Sequence, residues 1–163
     1  MASVGIRRPV AAAVVASAVL AISSPAPAAN GFAGLRGTWS GSGHIRLENG
    51  KTEAIRCSAN YVPRSGGTAL GLSLRCASAS NRVELRASLS SSGTRVSGTW
   101  EERTFNASGS VSGVASGASL RLVFSGSISG SMLVTTTGAS QSISVRTEGT
   151  ALRDVNVSLR RSN

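Results

Sequence analysis

The sequence predicts an all-β chain: one antiparallel up-and-down barrel of about eight to ten strands, stapled by one disulfide. Three observations predict it. Apolar residues recur with period two from residue 37 to the end, helix patterning is almost absent after residue 30, and the apolar runs are broken at short intervals by Gly, Ser and Asn. Alternation of this kind gives each strand one apolar and one polar face, the requirement of a closed or sandwiched antiparallel sheet.

Each strand can be read in order. Trp39, Ile45 and Leu47 share one parity in the first strand. Ile55-Cys57-Ala59-Tyr61 forms the next apolar face, with Arg56, Ser58 and Asn60 between. Leu70-Leu72-Leu74-Cys76 follows, then Val83-Leu85-Ala87-Leu89, which alternates with Arg82, Glu84, Arg86 and Ser88. Val96-Gly98-Trp100, Leu120-Leu122-Phe124, Ile143-Val145-Thr147 and Val155-Val157-Leu159 complete the series. Between them "ENGK", "RSGGT", "SASN", "SSSGT" and "TGASQ" are rich in residues that tolerate turn dihedrals.

Parity fixes expected registers, because a one-residue slip would send an apolar face to solvent. Cys57 opposite Cys76 centres a turn on Gly66-Gly67 and sets Tyr61 against Leu72 and Ala59 against Leu74. A Ser92-Gly93 turn sets Leu89 against Val96 and Leu85 against Trp100. The first hairpin needs an odd loop, read as Asn49-Gly50-Lys51 with a bulge, which places Ile45 beside Ile55 and Trp39 beside Tyr61. In "FNASGSVSGVASGASLRLVFSGSISGS", Gly109, Gly113 and Gly117 fall on one strand face with Val111, as in a strongly coiled strand.

The chain's first 29 residues read as a secretory signal: Arg7 and Arg8, an apolar Val10 to Ile22, and small residues up to Ala29. The expected organisation is therefore a signal peptide over 1–29 and a barrel domain over 30–163, with no transmembrane span after signal removal and a periplasmic or secreted location. Export places Cys57 and Cys76 where an even pair bridges, and closing that loop stabilises by roughly 3 kcal/mol. Arg56, Arg75, Arg82, Arg86 and Glu84 on the alternate face argue against a lipid-facing barrel wall.

Chemistry-bearing residues are scarce. The chain has one His (His44) and one Asp (Asp154), and "GTWSGSG" lacks the strand-turn-helix setting of a nucleophile elbow. Glu101 and Glu102 are strand neighbours and point to opposite faces, so they cannot act as a carboxylate pair. No metal cluster, phosphate loop or nucleotide fingerprint appears, so the reading is no enzyme, no cofactor and no metal. Without Arg7 and Arg8 the chain keeps 15 basic residues against 7 acidic ones, net +8, and 14 of the 15 are Arg. That charge suits anionic partners. Arg56, Arg75, Arg82 and Arg86 are the candidate anion-binding residues.

"GTW" occurs twice, ending in Trp39 and Trp100. Gly37-Thr38-Trp39 at the entry to the first strand resembles the calycin barrels, the avidin and lipocalin relatives, and implies a Trp that plugs the closed end of a barrel. "GTWSGSG", "IRCSANY", "LSLRCASAS", "SGTWEE" and "QSISVRTEG" together resemble a group of secreted bacterial all-β proteins with paired GTW words, a likeness that implies no assigned activity. The function expected is a non-enzymatic exported binding or interaction module of the cell envelope. Trp39, Tyr61 and Trp100 are its candidate ligand-facing or core aromatics. A small apolar ligand in the barrel mouth, an envelope protein such as a hydrolase, and an anionic envelope polymer are the alternative partners.

Overall fold

The computed structural model describes residues 31–162; the expected signal peptide lies outside the described residues. Ten strands follow one another: β1 (Gly37–Leu47), β2 (Thr52–Arg64), β3 (Ala69–Ala77), β4 (Arg82–Ser92), β5 (Arg95–Glu102), β6 (Ala107–Ser116), β7 (Ser119–Gly126), β8 (Ser129–Thr137), β9 (Ser140–Glu148) and β10 (Leu152–Arg161). Each pairs antiparallel with its neighbour in sequence, and β10 returns to pair with β1. The result is a closed up-and-down barrel with no free sheet edge.

The alternation seen in the sequence decides which side chains enter the barrel. Along β2, Glu53, Ile55, Cys57, Ala59, Tyr61 and Pro63 are buried and the residues between them are exposed, apart from the same pattern no other signal being needed. Rungs climb around the wall because the strands tilt. The rung that begins at Pro63 on β2 passes through Leu70, Leu89, Gly98, Val111, Phe124 and Gly130 to Thr147 on β9. Pro63 lies near the end sealed by the N-terminal segment, and Thr147 near the opposite end, the mouth.

The sealed end is built around Trp39, which is completely buried. A single 3₁₀ turn, Ala33–Leu35, precedes β1 and lies across this end with Phe32 and Leu35 buried. The Trp39 indole N–H donates to Leu35 O at 2.8 Å. The Arg161 guanidinium stacks 4.6 Å from the Trp39 ring and donates to Gly34 O at 2.7 Å. One indole thus joins the first strand, the last strand and the covering turn. Tyr61 meets it edge-on, with ring centroids 6.5 Å apart.

Cys57 and Cys76 face each other across β2 and β3 as a disulfide, and Tyr61–Leu72 and Ala59–Leu74 pair as the parity argument requires. Two registers differ from expectation. Arg46 pairs with Thr52, so the first loop is Glu48-Asn49-Gly50, one residue earlier than Asn49-Gly50-Lys51. Gly50, at φ +81°, takes the last loop position, where three-residue hairpins call for a left-handed residue. Ile45 therefore faces Glu53, and Trp39 faces Ala59 with Tyr61 on the diagonal. The next difference has the same cause. Gly93, at φ +59°, opens a Gly93-Thr94 turn, so Trp100 faces Ala87 and Leu89 faces Gly98.

Gly109 and Gly113 point inward on β6 as expected, but Gly117 belongs to the turn after that strand. A methyl group at Gly109 would meet the Trp100 indole nitrogen at 2.9 Å as well as the Ser125 carbonyl, so the indole lies where a side chain would stand. β8 is an element the alternation does not reveal: Met132-Leu133-Val134 is an unbroken apolar run, with Met132 and Val134 inward and Leu133 partly exposed on the outer wall.

Two measurements test this framework. Replacing both Cys57 and Cys76 by Ala should lower stability in urea by roughly 3 kcal/mol, the value for a loop closed over 19 residues; no change would mean the bridge constrains nothing. Trp39→Ala should cost about 3–5 kcal/mol, whereas Arg161→Ala, removing one stacking contact and one hydrogen bond, should cost about 1–2 kcal/mol.

Candidate functional site: the barrel mouth

In the half of the barrel toward the mouth many inward apolar side chains are only partly buried. They are Leu72 and Leu74 of β3, Val83 and Leu85 of β4, Phe124 of β7, Met132 of β8, Val145 of β9 and Val155 of β10. All pack against the buried core, and all keep part of their surface open. The difference from the sealed end is one of covering. There the 3₁₀ turn lies over the rungs; at the mouth only short loops flank them.

Two inward carboxylates fix those loops. Glu53, at the start of β2, is 7% exposed. Its Oε2 accepts from Ser78 Oγ at 2.9 Å, Ser80 Oγ at 2.7 Å and the Ser80 N–H at 3.3 Å, while Oε1 faces Lys51 Nζ at 3.2 Å. One residue thereby ties the β1–β2 loop to the β3–β4 loop. The Ser80 and Ser78 hydroxyls, helped by Lys51 and outweighing burial, hold the Glu53 carboxyl down at about 2. Glu102, at the end of β5, does the same on the far side. It accepts from the N–H groups of Glu84 (2.8 Å), Thr104 (3.1 Å) and Phe105 (2.7 Å). Burial raises its carboxyl, but these backbone donors outweigh it and the net shift is downward. The loop it holds presents Phe105, 61% exposed, at the lip.

The candidate aromatics do not line this opening. Trp39, Tyr61 and Trp100 are at most 7% exposed and belong to one continuous core. Trp100 leans on Phe124, with centroids 6.0 Å apart, and its N–H donates to Ser125 O at 3.3 Å. Tyr61 donates to Gln141 Oε1 at 2.9 Å, and the Gln141 amide donates to Thr136 Oγ1 at 3.2 Å, a polar bridge inside the barrel. Burial pushes the Tyr61 phenol above its ordinary range, partly offset by Gln141, so it stays neutral. Sequence reasoning missed Glu53, Glu102 and Gln141. Their signal was available: each sits at an inward parity where an apolar residue was due.

The four candidate arginines stand on the outer wall of β2, β3 and β4. Acids interleave with them. Arg75 pairs with Glu84, 3.8 Å apart, and Arg86 lies opposite Glu101. Arg56 and Arg82 flank Ala77 in one row. His44 and Asp154 are also on the outer wall, lining one groove of about 320 Å³. Asp154 is engaged by Arg46, whose Nε donates to Oδ2 at 2.9 Å, and by Arg146, whose Nε lies 3.7 Å from Oδ1. Among the described residues no His, Cys, Asp and Glu side chains gather in a group of three that could hold a metal ion, and no helix is long and apolar enough to cross a membrane.

No protein-family model matches the chain, and no curated protein matches it in sequence. Solved structures do resemble it. The crystal structure of Rv2717c from M. tuberculosis superposes with a TM-score of 0.67 at 14% identity, covering 85% of this chain and 99% of that one. The S-type phycobiliprotein lyase CPES from Guillardia theta superposes with a TM-score of 0.52 at 10% identity, covering 80% of this chain and 89% of that one. The likeness is one of fold.

The depressed Glu53 carboxyl gives a pH prediction. A group lowered on folding stabilises above its unfolded value and loses that contribution as pH falls through the folded one. Glu53→Gln should therefore be less stable than the parent at pH 7, with the gap closing between about 4.5 and about 2. A gap independent of pH would show that the carboxylate charge is not what holds the loops.

Proposed function

We propose that the protein is a non-enzymatic, exported binding module that seats an apolar ligand in the open end of its barrel. The observation that carries this reading is the half-buried ring of Leu, Val, Phe and Met side chains that faces inward at the mouth. A chain that gained only stability from its interior would bury that surface, as it does at the sealed end. The reading of binding rather than catalysis is supported by how the acids are used: Glu53 and Glu102, which face inward at the rim, hold loops. A location outside the cytoplasm is supported by the Cys57–Cys76 disulfide, since such bonds persist in oxidising compartments.

A second reading, docking of an envelope protein, rests on the outer wall of β6 to β8. Val114, Val123 and Leu133 are 45%, 59% and 37% exposed and surround Arg121 in the sheet register.

Titration with a polyene fatty acid that brightens in apolar surroundings separates the two. Saturable binding near one equivalent is expected, weakened at least tenfold by Leu85→Asp or Val155→Asp, because a carboxylate placed among apolar side chains must be desolvated by the bound ligand. Leu133→Asp on the outer wall should leave it unchanged. Absence of saturation, or equal loss in all three variants, would remove the mouth as the site. Native mass spectrometry of protein purified from its own host gives an independent check for carried ligand.

A further inference from the structure

The groove on the outer wall over β2, β1, β10 and β9 has no part in the reading above. Two adjacent rows of side chains line it. One is Arg46–Asp154–Arg146, the other His44–Asn156–Ser144, each running across β1, β10 and β9. Rows on one face of a sheet lie about 7 Å apart and neighbouring strands about 4.8 Å apart, so the six side chains share one small area.

Asp154 is the key to its chemistry. Only 19% of its side chain is exposed, whereas the Arg46 and Arg146 side chains are 63% and 81% exposed. The carboxylate sits low between the two guanidiniums and holds one edge of each, leaving their other N–H donors at the groove surface. Two positive charges against one negative charge leave the row with net +1. The neighbouring row adds donors without adding negative charge: the Asn156 amide, the Ser144 hydroxyl and the His44 imidazole. In the other direction, toward the mouth, the depression continues to Glu48, Glu148 and Arg153, with Arg153 4.0 Å from Glu48, which leaves that end with one surplus negative charge. The charge gradient along the groove therefore directs an anion to the His44 end.

We infer that this groove is a binding site for a tetrahedral oxyanion, phosphate or sulfate, bridged by Arg46 and Arg146 and received by His44, Asn156 and Ser144. The candidate arginines on β2 to β4 do not offer this arrangement: Arg75 pairs with Glu84, Arg86 lies opposite Glu101 of β5, and Arg56 and Arg82 have only Ala77 between them. A free anion and an ester group on a polymer present the same oxygens, and the experiment is arranged to tell them apart.

His44 is the only histidine, so its imidazole resonances report on the site without assignment ambiguity. Sodium phosphate is titrated into the full exported chain at constant ionic strength, followed by His44 and backbone amide shifts. The expected result is saturable change confined to the groove rows. Arg46→Ala and Arg146→Ala should each weaken it about tenfold, the usual loss of one charge-assisted contact, while Arg86→Ala on β4, outside the groove, leaves it intact. A heparin-type sulfated tetrasaccharide forms the second arm. Saturation of the same resonances at tenfold lower concentration identifies a polymer-borne ester as the ligand, and tighter binding of phosphate identifies the free anion. Linear, unsaturated shifts with both probes, or equal weakening by Arg86→Ala, would overturn the site in favour of diffuse charge attraction. Fatty-acid binding in the mouth is measured separately, so failure of either reading leaves the other standing.

Discussion

The structure depends on closure of the sheet: β10 pairs with β1, and where they meet the buried Trp39, with Arg161 laid over it, holds the turn that precedes β1. A ten-strand meander has two edges until its last strand meets its first. Pairing of β10 with β1 satisfies both rows of backbone groups at once. The buried indole makes that closure specific, because only the register that brings Arg161 opposite Trp39 gives the guanidinium both an aromatic face and a carbonyl.

Closure at one end has consequences at the other. Tilted strands joined by short loops do not cover the opening, and many inward apolar side chains in that half of the barrel are only partly buried. Glu53 and Glu102 keep the opening in shape. Each is a carboxylate at an inward position, supplied with serine hydroxyls or backbone N–H groups instead of another charge at close quarters alone. Such sites exchange apolar burial for loop geometry, which is how a rigid barrel acquires a defined rim.

The outer wall follows a different logic. On β3 to β5, Arg75 pairs with Glu84 and Arg86 lies opposite Glu101, arginine against glutamate across neighbouring strands in solvent. At the β9–β10–β1 seam, a single sheltered aspartate serves two arginines, and the surplus charge remains. The same residue types thus make a solvated face in one place and a directed groove in another.

Period-two alternation by itself determined the all-β class, the inward face of most strands and the Cys57–Cys76 pairing, since a slip of one residue would expose an entire apolar row. It also separated Glu101 from Glu102. It could not reveal β8, where Met132-Leu133-Val134 breaks the alternation, nor choose which residue of "ENGK" or "SSSGT" would take the positive φ; those choices moved two registers by one step of the turn. The number of strands and the meeting of β1 with β10 were tertiary decisions, because they join residues more than a hundred positions apart. So was the site. His44, Asp154, Arg46 and Arg146 come from three strands, and Glu53 finds Ser78 and Ser80 only after two hairpins have formed. Local pattern specifies which way a side chain faces; only barrel closure specifies what it faces.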